Sequence, residues 1–399
     1  MADQKPVLIA GAGPAGMITA LGLARRGVRV QVFEVDADLP ETRRATTFHP
    51  PTLDMLDELG LVEDVIRLGQ KAPTWQFRDR ETGCVAEFDV SMLADVSGHP
   101  YRVQCEQFHL TRLIRDRLQE YPNAEVSFEA RVTGFDQDDD GVTIRIENRD
   151  GPQTYGGSFL VGADGGRSII RGALPVEFEG FTYDERIVQA GTPFDYSNAL
   201  PDVGLINYIS DPHEWCVLLA LPGYWRVGFP MREGEKEEDA LTDESLQARL
   251  HRFFPKSGDY ELVHRNTWRV HQRVASNFRH GRVVLAGDAA HVNSPQGGMG
   301  MNSGIHDGVN LAEKLAAVWK HEAGIELLDR YARQRRHVAV EDVRVQTMRN
   351  AKLMNERDLT VRAKTLDEMR ATAADPARAR QFLLNSSMIA GLRAAAEIE

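Results

Sequence analysis

One glycine pattern near the start of the chain restricts its fold more than any other feature. Residues 6–10, PVLIA, are typical of a buried strand, and GAGPAG follows directly at Gly11–Gly16 before an amphipathic segment. Gly11 would permit a tight turn, Gly13 would let a pyrophosphate approach the backbone, and Gly16 would let helix and strand pack closely. The pattern predicts a Rossmann-like βαβ unit with a dinucleotide at the helix N-terminus.

Neighbouring residues support this interpretation. Pro14 suits the first turn of a helix, and Ala15 completes the motif. Glu34 follows a second predicted strand, Val28–Phe33, where a carboxylate can accept hydrogen bonds from ribose hydroxyls. The pattern alone does not distinguish FAD from NAD, and a structural glycine turn is its alternative.

Composition restricts the class of protein. The chain has 399 residues, 42% of them hydrophobic, which is enough for two domains or one large composite domain. Its net charge of -12 disfavours nucleic-acid binding. The three cysteines lack a CxxC spacing, so neither a disulfide framework nor a metal site is expected. We find no apolar run long enough for a membrane span and no secretory signal, so we expect a cytoplasmic protein.

Two later segments also carry glycine-rich motifs. Residues 142–146 alternate between apolar and polar side chains, which predicts a half-buried strand of a small meander. FLVGADGGRSIIR then occupies residues 159–171. GRVVLAGDAAHVNSPQGGMGMNSGIHDGVNLAEKL, residues 281–315, predicts a strand, a glycine-rich loop and a helix from about Ser303.

Together these motifs resemble a known family. GAGPAG at Gly11, GADGGRS at Gly162 and GDAAH at Gly287 occur in the order found in FAD-dependent aromatic hydroxylases of the para-hydroxybenzoate hydroxylase type, the class A flavoprotein monooxygenases. The resemblance implies an α/β fold, in which a Rossmann-like FAD-binding domain carries an inserted, mostly antiparallel β-sheet substrate domain and a helical C-terminus. The implied parts are 1–73, 101–175 and 273–325 for the FAD-binding domain, 74–100 and 176–272 for the sheet domain, and 326–399 for the C-terminal helices.

The predicted cofactor site combines the motifs with the resemblance. A carboxylate at Asp288, after a strand, can accept hydrogen bonds from ribityl hydroxyls. Glycines in the loop from Pro295 to Asn302 let the backbone approach a flat ring, and the next helix N-terminus favours the negative charge of reduced flavin. For Arg43 and Arg44 a surface position is the alternative. The complete predicted set is Gly11, Gly13, Pro14, Ala15, Gly16, Glu34, Arg43, Arg44, Gln107, Val132, Asp164, Gly287, Asp288, Gly298, Met301 and Asn302.

The candidate catalytic residues are Pro295, His49, Tyr208, His213 and Tyr224. A tyrosine or histidine can accept or relay the proton of a phenol. Pro295 matches a family proline in the loop beneath the isoalloxazine ring. His49 precedes a predicted helix, so it either approaches the flavin or only begins that helix.

The candidate substrate-binding residues are Cys216, Leu218 and Arg226, in a predicted hairpin around Pro222 and Gly223. Arg226 could bind a carboxylate. Leu218 lies near the place of the family's arginine for a para-carboxylate, which argues against 4-hydroxybenzoate as substrate. For each strand residue, a position on the outer face or a satisfied place in the core is the alternative.

The resemblance also implies the reaction. NADH or NADPH would reduce FAD, oxygen would give a C4a-hydroperoxyflavin, and this species would hydroxylate an electron-rich ring of the phenol, aminophenol or hydroxypyridine type. Asp36, Asp38 and Glu41 would repel a 2'-phosphate, so we expect NADH to be preferred over NADPH. No second Rossmann pattern is present, so the nicotinamide would bind in a surface groove.

Other functions fit the same motifs. An FAD-dependent epoxidase, a Baeyer–Villiger-type oxygenase or a reductase would use the same scaffold. A non-catalytic flavoprotein redox module would bind FAD without substrate-stimulated NAD(P)H oxidation, and an NAD-dependent dehydrogenase would be colourless. The charged C-terminal helices would pack on the FAD-binding domain or on a second subunit, so a homodimer is also considered.

Overall fold

The computed structural model describes residues 4–41 and 43–399, and the cofactor motifs lie on its six-stranded sheet. Five strands are parallel, and the residues of the four inner ones are almost all buried because both faces of the sheet are covered there, whereas the edge strand Ala124–Ser127 is partly exposed. The apolar side of the three-stranded meander packs into the same core, as the alternation of residues 142–146 predicts. In sheet order the strands are Arg279–His280, Val283–Leu285, Phe159–Gly162, Val7–Ala10, Val30–Phe33 and Ala124–Ser127, and the meander comprises Arg131–Gln137, Val142–Asn148 and Gly151–Gly157.

The predicted substrate sheet is present and has eight strands. All neighbouring strands pair antiparallel except Ile206–Ser210 with Thr74–Asp79. The hairpin around Pro222 and Gly223 is confirmed. In sheet order the strands are His291–Val292, His264–Ala275, Phe178–Thr192, Tyr224–Pro230, Cys216–Leu221, Ile206–Ser210, Thr74–Asp79 and Gly83–Asp89. A further small sheet contains Thr47–Phe48, Arg102–Gln104 and Gln70–Ala72.

The helices that were predicted from the sequence are present, and one of them begins earlier than expected. The helix after the glycine-rich loop begins at Met299, not at about Ser303, because Gly298 adopts a left-handed conformation (φ +68°) that ends the loop early. Within the described residues, none of the helices combines the length and apolar character needed to cross a bilayer. The helices are Pro14–Arg25, Pro50–Glu58, Val62–Leu68, Gln107–Leu118, Ile169–Gly172, Glu237–Ala240, Asp243–Phe253, Met299–Trp319, Leu327–His337, Arg344–Asn355, Leu359–Ala374, Pro376–Ser386 and Ile389–Ala396, with 3-10 turns at Val90–Leu93 and Gly287–Ala289 and a π-helical turn at Val338–Val343.

The C-terminal helices pack on both parts of the molecule. Phe382 stacks on Phe88, with ring centroids 4.6 Å apart, and Arg362 forms a buried ion pair with Asp79 of the eight-stranded sheet. Met299, at the start of the helix after the glycine-rich loop, is buried in a cluster with side chains of these helices. The segment therefore covers one face of the substrate sheet and also supports the loop.

Asp342 lies in the π-helical turn and is buried. One of its carboxylate oxygens has no hydrogen-bond partner among the described residues. Burial raises the pKa of Asp342 from its ordinary 3.8 to about 6, although Arg335 opposes the shift. Ionisation of this carboxyl group therefore destabilises the folded state.

Replacing Asp342 by Asn should stabilise the protein at neutral pH and have little effect near pH 4. Because the pKa of Asp342 is higher in the folded than in the unfolded protein, the free energy of unfolding is unaffected below the unfolded pKa. It falls by ~3 kcal/mol as the pH rises through the folded pKa. Asn does not ionise, so the variant should keep that stability. Denaturant unfolding of both proteins between about pH 4 and pH 8 measures the difference. A gain that did not vary with pH would contradict the explanation.

Candidate active site

The three glycines of the GAGPAG motif have different structural roles. Gly11 has φ +99°, and a Cβ there would overlap the carbonyl of Ala163. A Cβ at Gly16 would overlap the carbonyl of Gly11, whereas a Cβ at Gly13 would meet no atom within 4 Å. Gly11 and Gly16 thus allow close packing, and Gly13 leaves the approach to the helix N-terminus open. Pro14 begins the helix and Ala15 lies at its buried start, as predicted.

Glu34 is fixed at the end of its strand by backbone donors. One carboxylate oxygen accepts from the backbone N–H of Ala12 at 2.7 Å, and the other accepts from Val35 at 2.8 Å and Asp36 at 3.1 Å. The carboxylate therefore stands beside the glycine turn, where a ribose would lie. Val132 is buried in the meander.

A buried network that the sequence analysis missed holds the GDAAH turn. Asp307 accepts from the backbone N–H of Gly287 at 2.9 Å, from His291 at 2.8 Å and from Arg335 at 2.6 Å. Burial alone would raise the pKa of Asp307, but His291 and Arg335 lower it well below its usual range. The histidine that ends GDAAH was the available signal, but Asp307 and Arg335 lie on two later helices.

Asp288 follows Gly287 on the outer side of the same turn. Solvent reaches its carboxylate, yet protein surrounds it closely enough that desolvation raises its pKa, against the effects of nearby basic side chains. Arg171 holds the turn from behind by donating to the carbonyl of Ala289 at 3.0 Å. The turn therefore presents a carboxylate that can accept hydrogen bonds from a polyol chain.

Asp164 supports this region through the backbone. Its carboxylate accepts from the N–H groups of Ile169 at 2.7 Å and Ile170 at 3.2 Å, and it caps the short helix Ile169–Gly172. Arg171, in that helix, also donates to the carbonyl of Gly166 at 2.7 Å. The structure thus places Asp164 as a cap for the segment behind the turn.

The glycine-rich loop is tied to the strand Thr47–Phe48 by one side chain. Asn302 accepts from the N–H of His49 at 3.0 Å and donates to the carbonyls of Thr47 at 2.8 Å and Gly298 at 2.6 Å. Met301 is buried beside it in the first helical turn, and Pro295 is exposed at the start of the loop. The arrangement fixes the backbone that would face the flavin ring.

His49 begins a helix, which is one of the two roles considered for it, and its side chain contacts the glycine-rich loop. It directly precedes the helix Pro50–Glu58, and its Nε2 lies 2.9 Å from the carbonyl of Gly297. Burial and the charge of Arg102 lower its pKa, so the ring is neutral. A carbonyl can only accept, so Nε2 carries the proton, and Nδ1 is a buried acceptor with no partner among the described residues.

The loop is also held from the other side. Asn350 donates to the carbonyl of Gln296 at 3.2 Å, and Gln272 accepts from both Ser294 at 3.3 Å and Thr347 at 3.1 Å. Asn350 and Thr347 belong to the helix Arg344–Asn355, and Gln272 belongs to the substrate sheet. The C-terminal helices and the sheet therefore both position the loop.

Arg226 does not present the free cation that was predicted for a carboxylate. It forms a buried ion pair with Glu106 and donates to the carbonyl of Arg44 at 2.7 Å. Tyr224 also bonds Glu106, and burial raises the pKa of this phenol to about 12. The carbon at the centre of the Arg43 guanidinium lies 5.2 Å from the centre of the Tyr224 ring. Because Glu106 neutralises Arg226, the carboxylate-binding role is wrong for the structure as it stands.

Gln107 follows Glu106 as the first residue of the helix Gln107–Leu118, and it is half-buried. Arg44 has an exposed side chain. The cluster of Glu106, Tyr224 and Arg226 therefore connects the substrate sheet to the segment that carries the predicted cofactor residues Arg43, Arg44 and Gln107.

The structure places Cys216 and Leu218 on the face of the sheet away from the loop. Both are buried in the cluster that packs against the helix Asp243–Phe253. Successive residues of a strand point to opposite faces of the sheet, so an assignment that is wrong by one residue exchanges the side chains of one face for those of the other. Val217 and Leu219 are the hairpin residues on the loop side, and the prediction for Cys216 and Leu218 is corrected accordingly. His213 is exposed in the turn between two strands and is not brought to the site.

One row of residues crosses the loop side of the sheet. Tyr208 lies opposite Val217, which lies opposite Gly228, which lies opposite Gln189. Val217 and Leu219 keep partial exposure although their strand is interior to the sheet. A Cβ at Gly228 would meet only Ile187, at 3.9 Å. We call this space above Val217, Leu219 and Gly228 the sheet cavity.

The residues around the two motifs fit FAD. An open approach at Gly13, an anchored carboxylate at Glu34, a carboxylate at Asp288 and an ordered glycine-rich loop correspond to pyrophosphate, ribose, ribityl chain and ring. Bound there, FAD would lie between the six-stranded sheet and the sheet cavity.

Comparison with known proteins supports the same assignment. The family described as FAD binding domain matches residues 4–346. Para-nitrophenol 4-monooxygenase of Pseudomonas sp. (strain WBC-3) is 35% identical over 396 residues, 97% of this chain and 96% of the relative. The 6-hydroxy-3-succinoylpyridine 3-monooxygenase HspB of Pseudomonas putida (strain DSM 28022 / S16) is 31% identical over 348 residues, 86% of each chain.

Solved structures have the same fold. The crystal structure of p-nitrophenol 4-monooxygenase PnpA from Pseudomonas putida DLL-E4 superposes with a TM-score of 0.92 at 33% identity and covers 98% of both chains. A ternary complex of aklavinone-11 hydroxylase with FAD and aklavinone gives a TM-score of 0.79 at 30% identity, over 89% of this chain and 70% of that one. The chain belongs to the FAD-dependent aromatic hydroxylases and is a flavin-dependent monooxygenase.

Proposed function

We propose that this monooxygenase hydroxylates a single-ring phenol that carries an electron-withdrawing para substituent, with para-nitrophenol as the first compound to test. The observation that carries the proposal is the sheet cavity, whose floor is made by Val217, Leu219 and Gly228 and which therefore offers an apolar surface to a flat ring. The full-length similarity to a para-nitrophenol 4-monooxygenase supports the same substrate class.

The spacing of the strands beneath the sheet cavity is compatible with one ring. Tyr208 and Gln189 stand on strands three positions apart, so their backbones are about 14 Å from each other. Their side chains shorten that span, and the glycine at 228 deepens its middle. The Gln189 side-chain oxygen is buried without a partner among the described residues, so it can accept a hydrogen bond from a substrate.

The protein's part in the reaction is to position and to exclude water. Bound FAD supplies oxygen activation and takes electrons from the reduced nicotinamide. Aromatic stacking of Trp75, Phe88 and Phe382 closes one end of the sheet face. Asn302 and His49 hold the loop backbone that would face the ring, with Pro295 at the loop start. Tyr208, buried beside the cavity, can hydrogen-bond the phenol oxygen.

A panel of substituted phenols, aminophenols and hydroxypyridines tests the proposal. We expect para-nitrophenol to stimulate NADH oxidation and oxygen uptake by the FAD-loaded enzyme, and hydroxylation at the substituted carbon to release nitrite. Ring hydroxylation of other phenols should add one oxygen to the product mass. NADH oxidation that yields only hydrogen peroxide with every phenol would reject the substrate class.

NADH is proposed as the preferred reductant. Asp36 is exposed beside the FAD site, so a nicotinamide dinucleotide bound in a groove along this surface would meet its negative charge, which disfavours the 2'-phosphate of NADPH. Asp38 and Glu41 contribute less than their number suggests, because Arg115 pairs with the first and Arg112 with the second. We therefore expect kcat/KM for NADH to exceed that for NADPH by about tenfold or less, a difference of up to ~1.4 kcal/mol. Equal values, or a higher value with NADPH, would reject the preference.

A homodimer is proposed from an exposed apolar surface. Val345, Met348, Leu359 and Val361 expose apolar side chains on two consecutive C-terminal helices, and a second copy could cover them. Light scattering during gel filtration should give twice the chain mass, and a Leu359→Glu variant should lower it. A cytoplasmic location is likewise proposed, since NADH is supplied there, and cell fractionation tests it.

A further inference from the structure

Arg102 differs from the other deeply buried arginines. It is 1% exposed, and its Nε and Nη1 atoms have no hydrogen-bond partner in the described part of the chain. Desolvation lowers its pKa, and only Tyr208 opposes this, since no carboxylate acts on it. By contrast, Arg226, Arg249, Arg335 and Arg362 each form an ion pair with a buried or largely buried carboxylate. Arg78, which is also buried and has no ion pair, donates instead to the Gln76 side chain and to two backbone carbonyls.

An unpaired buried guanidinium is costly, because desolvation is not offset by an opposite charge. A buried ionisable group with a perturbed pKa marks a candidate functional site, and the partner that this guanidinium lacks is an anion. Arg102 belongs to the strand Arg102–Gln104, so its backbone position is fixed by the pairing of Arg102 with Ala72. The backbone of Arg102 is therefore fixed, and its Nε and Nη1 groups are still able to donate new hydrogen bonds.

The neighbours of Arg102 place it at one end of the sheet cavity. Its guanidinium lies 5.0 Å from the ring of Trp75, and Tyr208 lies against it. Tyr208 is opposite Val217, in the floor of the cavity. On the other side, the charge of Arg102 acts on His49, which bonds the loop that would face the flavin. Arg102 thus stands between the cavity end and the loop.

We propose that Arg102 selects the ionised form of the substrate and binds its phenolate oxygen at the end of the sheet cavity beside Tyr208. The proposal rests on the proposed function, and it adds the protonation state that is recognised and the residue that recognises it. The proton leaves the phenol for solvent before or during binding. The phenolate then supplies the negative charge that the guanidinium lacks.

Binding of the phenolate in preference to the neutral phenol favours hydroxylation. A phenolate ring is more electron-rich than the neutral phenol, so it reacts more readily with an electrophilic oxygen. An electron-withdrawing para substituent lowers the phenol's own pKa, which makes the ionised form available near neutral pH. Arg102 would therefore favour those phenols over more weakly acidic ones, and it would be a specificity-determining residue.

The absorption spectrum of bound para-nitrophenol tests the proposal directly, because the neutral and ionised forms have separate bands. The FAD-loaded enzyme is titrated without NADH at a pH about one unit below the pKa of the free ligand, where most of it is neutral. We expect binding to wild-type enzyme to increase the phenolate band. In Arg102→Met the band should not increase and the Kd should rise at least tenfold, and Arg102→Lys should restore part of both effects.

Two further measurements separate this role from a purely structural one. Para-nitroanisole cannot ionise, so wild type and Arg102→Met should bind it equally. Arg102→Met removes an unpaired buried charge, so its thermal midpoint without ligand should equal or exceed that of wild type. If wild type bound the neutral form of nitrophenol, or if Arg102→Met bound the phenolate as tightly as wild type, the role of Arg102 would be overturned but the proposed substrate class would not. Failure of wild type to bind any nitrophenol would overturn the proposed substrate class as well.

Discussion

Replacing Asp307 by Asn should yield a protein that retains little FAD and is much less stable. The carboxylate is fully buried and is the shared partner of His291, Arg335 and the N–H of Gly287. Asn has nearly the same shape but no charge, so Arg335 would be left as an unpaired buried cation. Breaking a buried ion pair in this way costs about 3–5 kcal/mol.

The effect on the cofactor follows from the bond to Gly287. Asp288 directly follows this glycine, so a displaced turn would move the carboxylate that is assigned to the ribityl chain. We expect the Kd for FAD to rise by about tenfold or more, since this corresponds to the loss of ~1.4 kcal/mol or more. Flavin content after gel filtration and FAD titration of the apoprotein measure it.

Asp367→Asn is the matched control for this variant. Asp367 pairs with Arg370 on an exposed helix surface, where an ion pair contributes only about 0–1 kcal/mol. Its variant should keep both stability and flavin. An Asp307→Asn protein that purified with full FAD and normal unfolding would show that the network does not hold the turn.

Replacing Gly228 by Val should weaken substrate binding strongly and leave the fold intact. A Cβ at this position meets only Ile187 at 3.9 Å, so the backbone has room for a side chain, and the methyl groups of valine would extend into the sheet cavity. Valine also suits a strand better than glycine, so stability should be unchanged or slightly higher. We expect KM for the phenol to rise at least about tenfold, equivalent to ~1.4 kcal/mol of binding, and NADH oxidation to become uncoupled from hydroxylation.

Leu218→Ala provides the opposite-face control. Leu218 is fully buried against the helix Asp243–Phe253, so truncation should cost about 2–5 kcal/mol of stability. At a temperature where the variant remains folded, its KM for the phenol should match wild type. If instead Leu218→Ala changed substrate affinity and Gly228→Val did not, the assignment of the two sheet faces would be reversed.

Local patterns predicted the parts of the fold that depend on local physics. The strand–GAGPAG–helix unit, the alternation of residues 142–146 and the turn at Pro222 and Gly223 all appear in the structure as expected. The start of the helix at Met299 was placed too late, because the chain turns at Gly298 and not at a polar cap.

The residues that the sequence analysis missed or misplaced depend on distant partners. Strand alternation shows that Leu218 and Leu219 face opposite ways, but only the helix packed on one face shows which side is outer. The importance of Asp307 requires knowledge of Arg335 and His291. The isolation of Arg102 is a fact about what surrounds it, and no spacing in the sequence reports it.

The way the C-terminal helices cover the sheet has a consequence for synthesis of the chain. Arg362 pairs with Asp79 across a separation of 283 residues, and Phe382 stacks on Phe88. Trp75 and Phe88 leave the ribosome long before the side chains that cover them exist. During that interval the nascent sheet exposes an aromatic face, a condition that promotes aggregation of partly folded chains. The C-terminal helices that cover the substrate sheet are thus synthesised after the sheet itself. Chaperones would be needed most just before these helices pack on it.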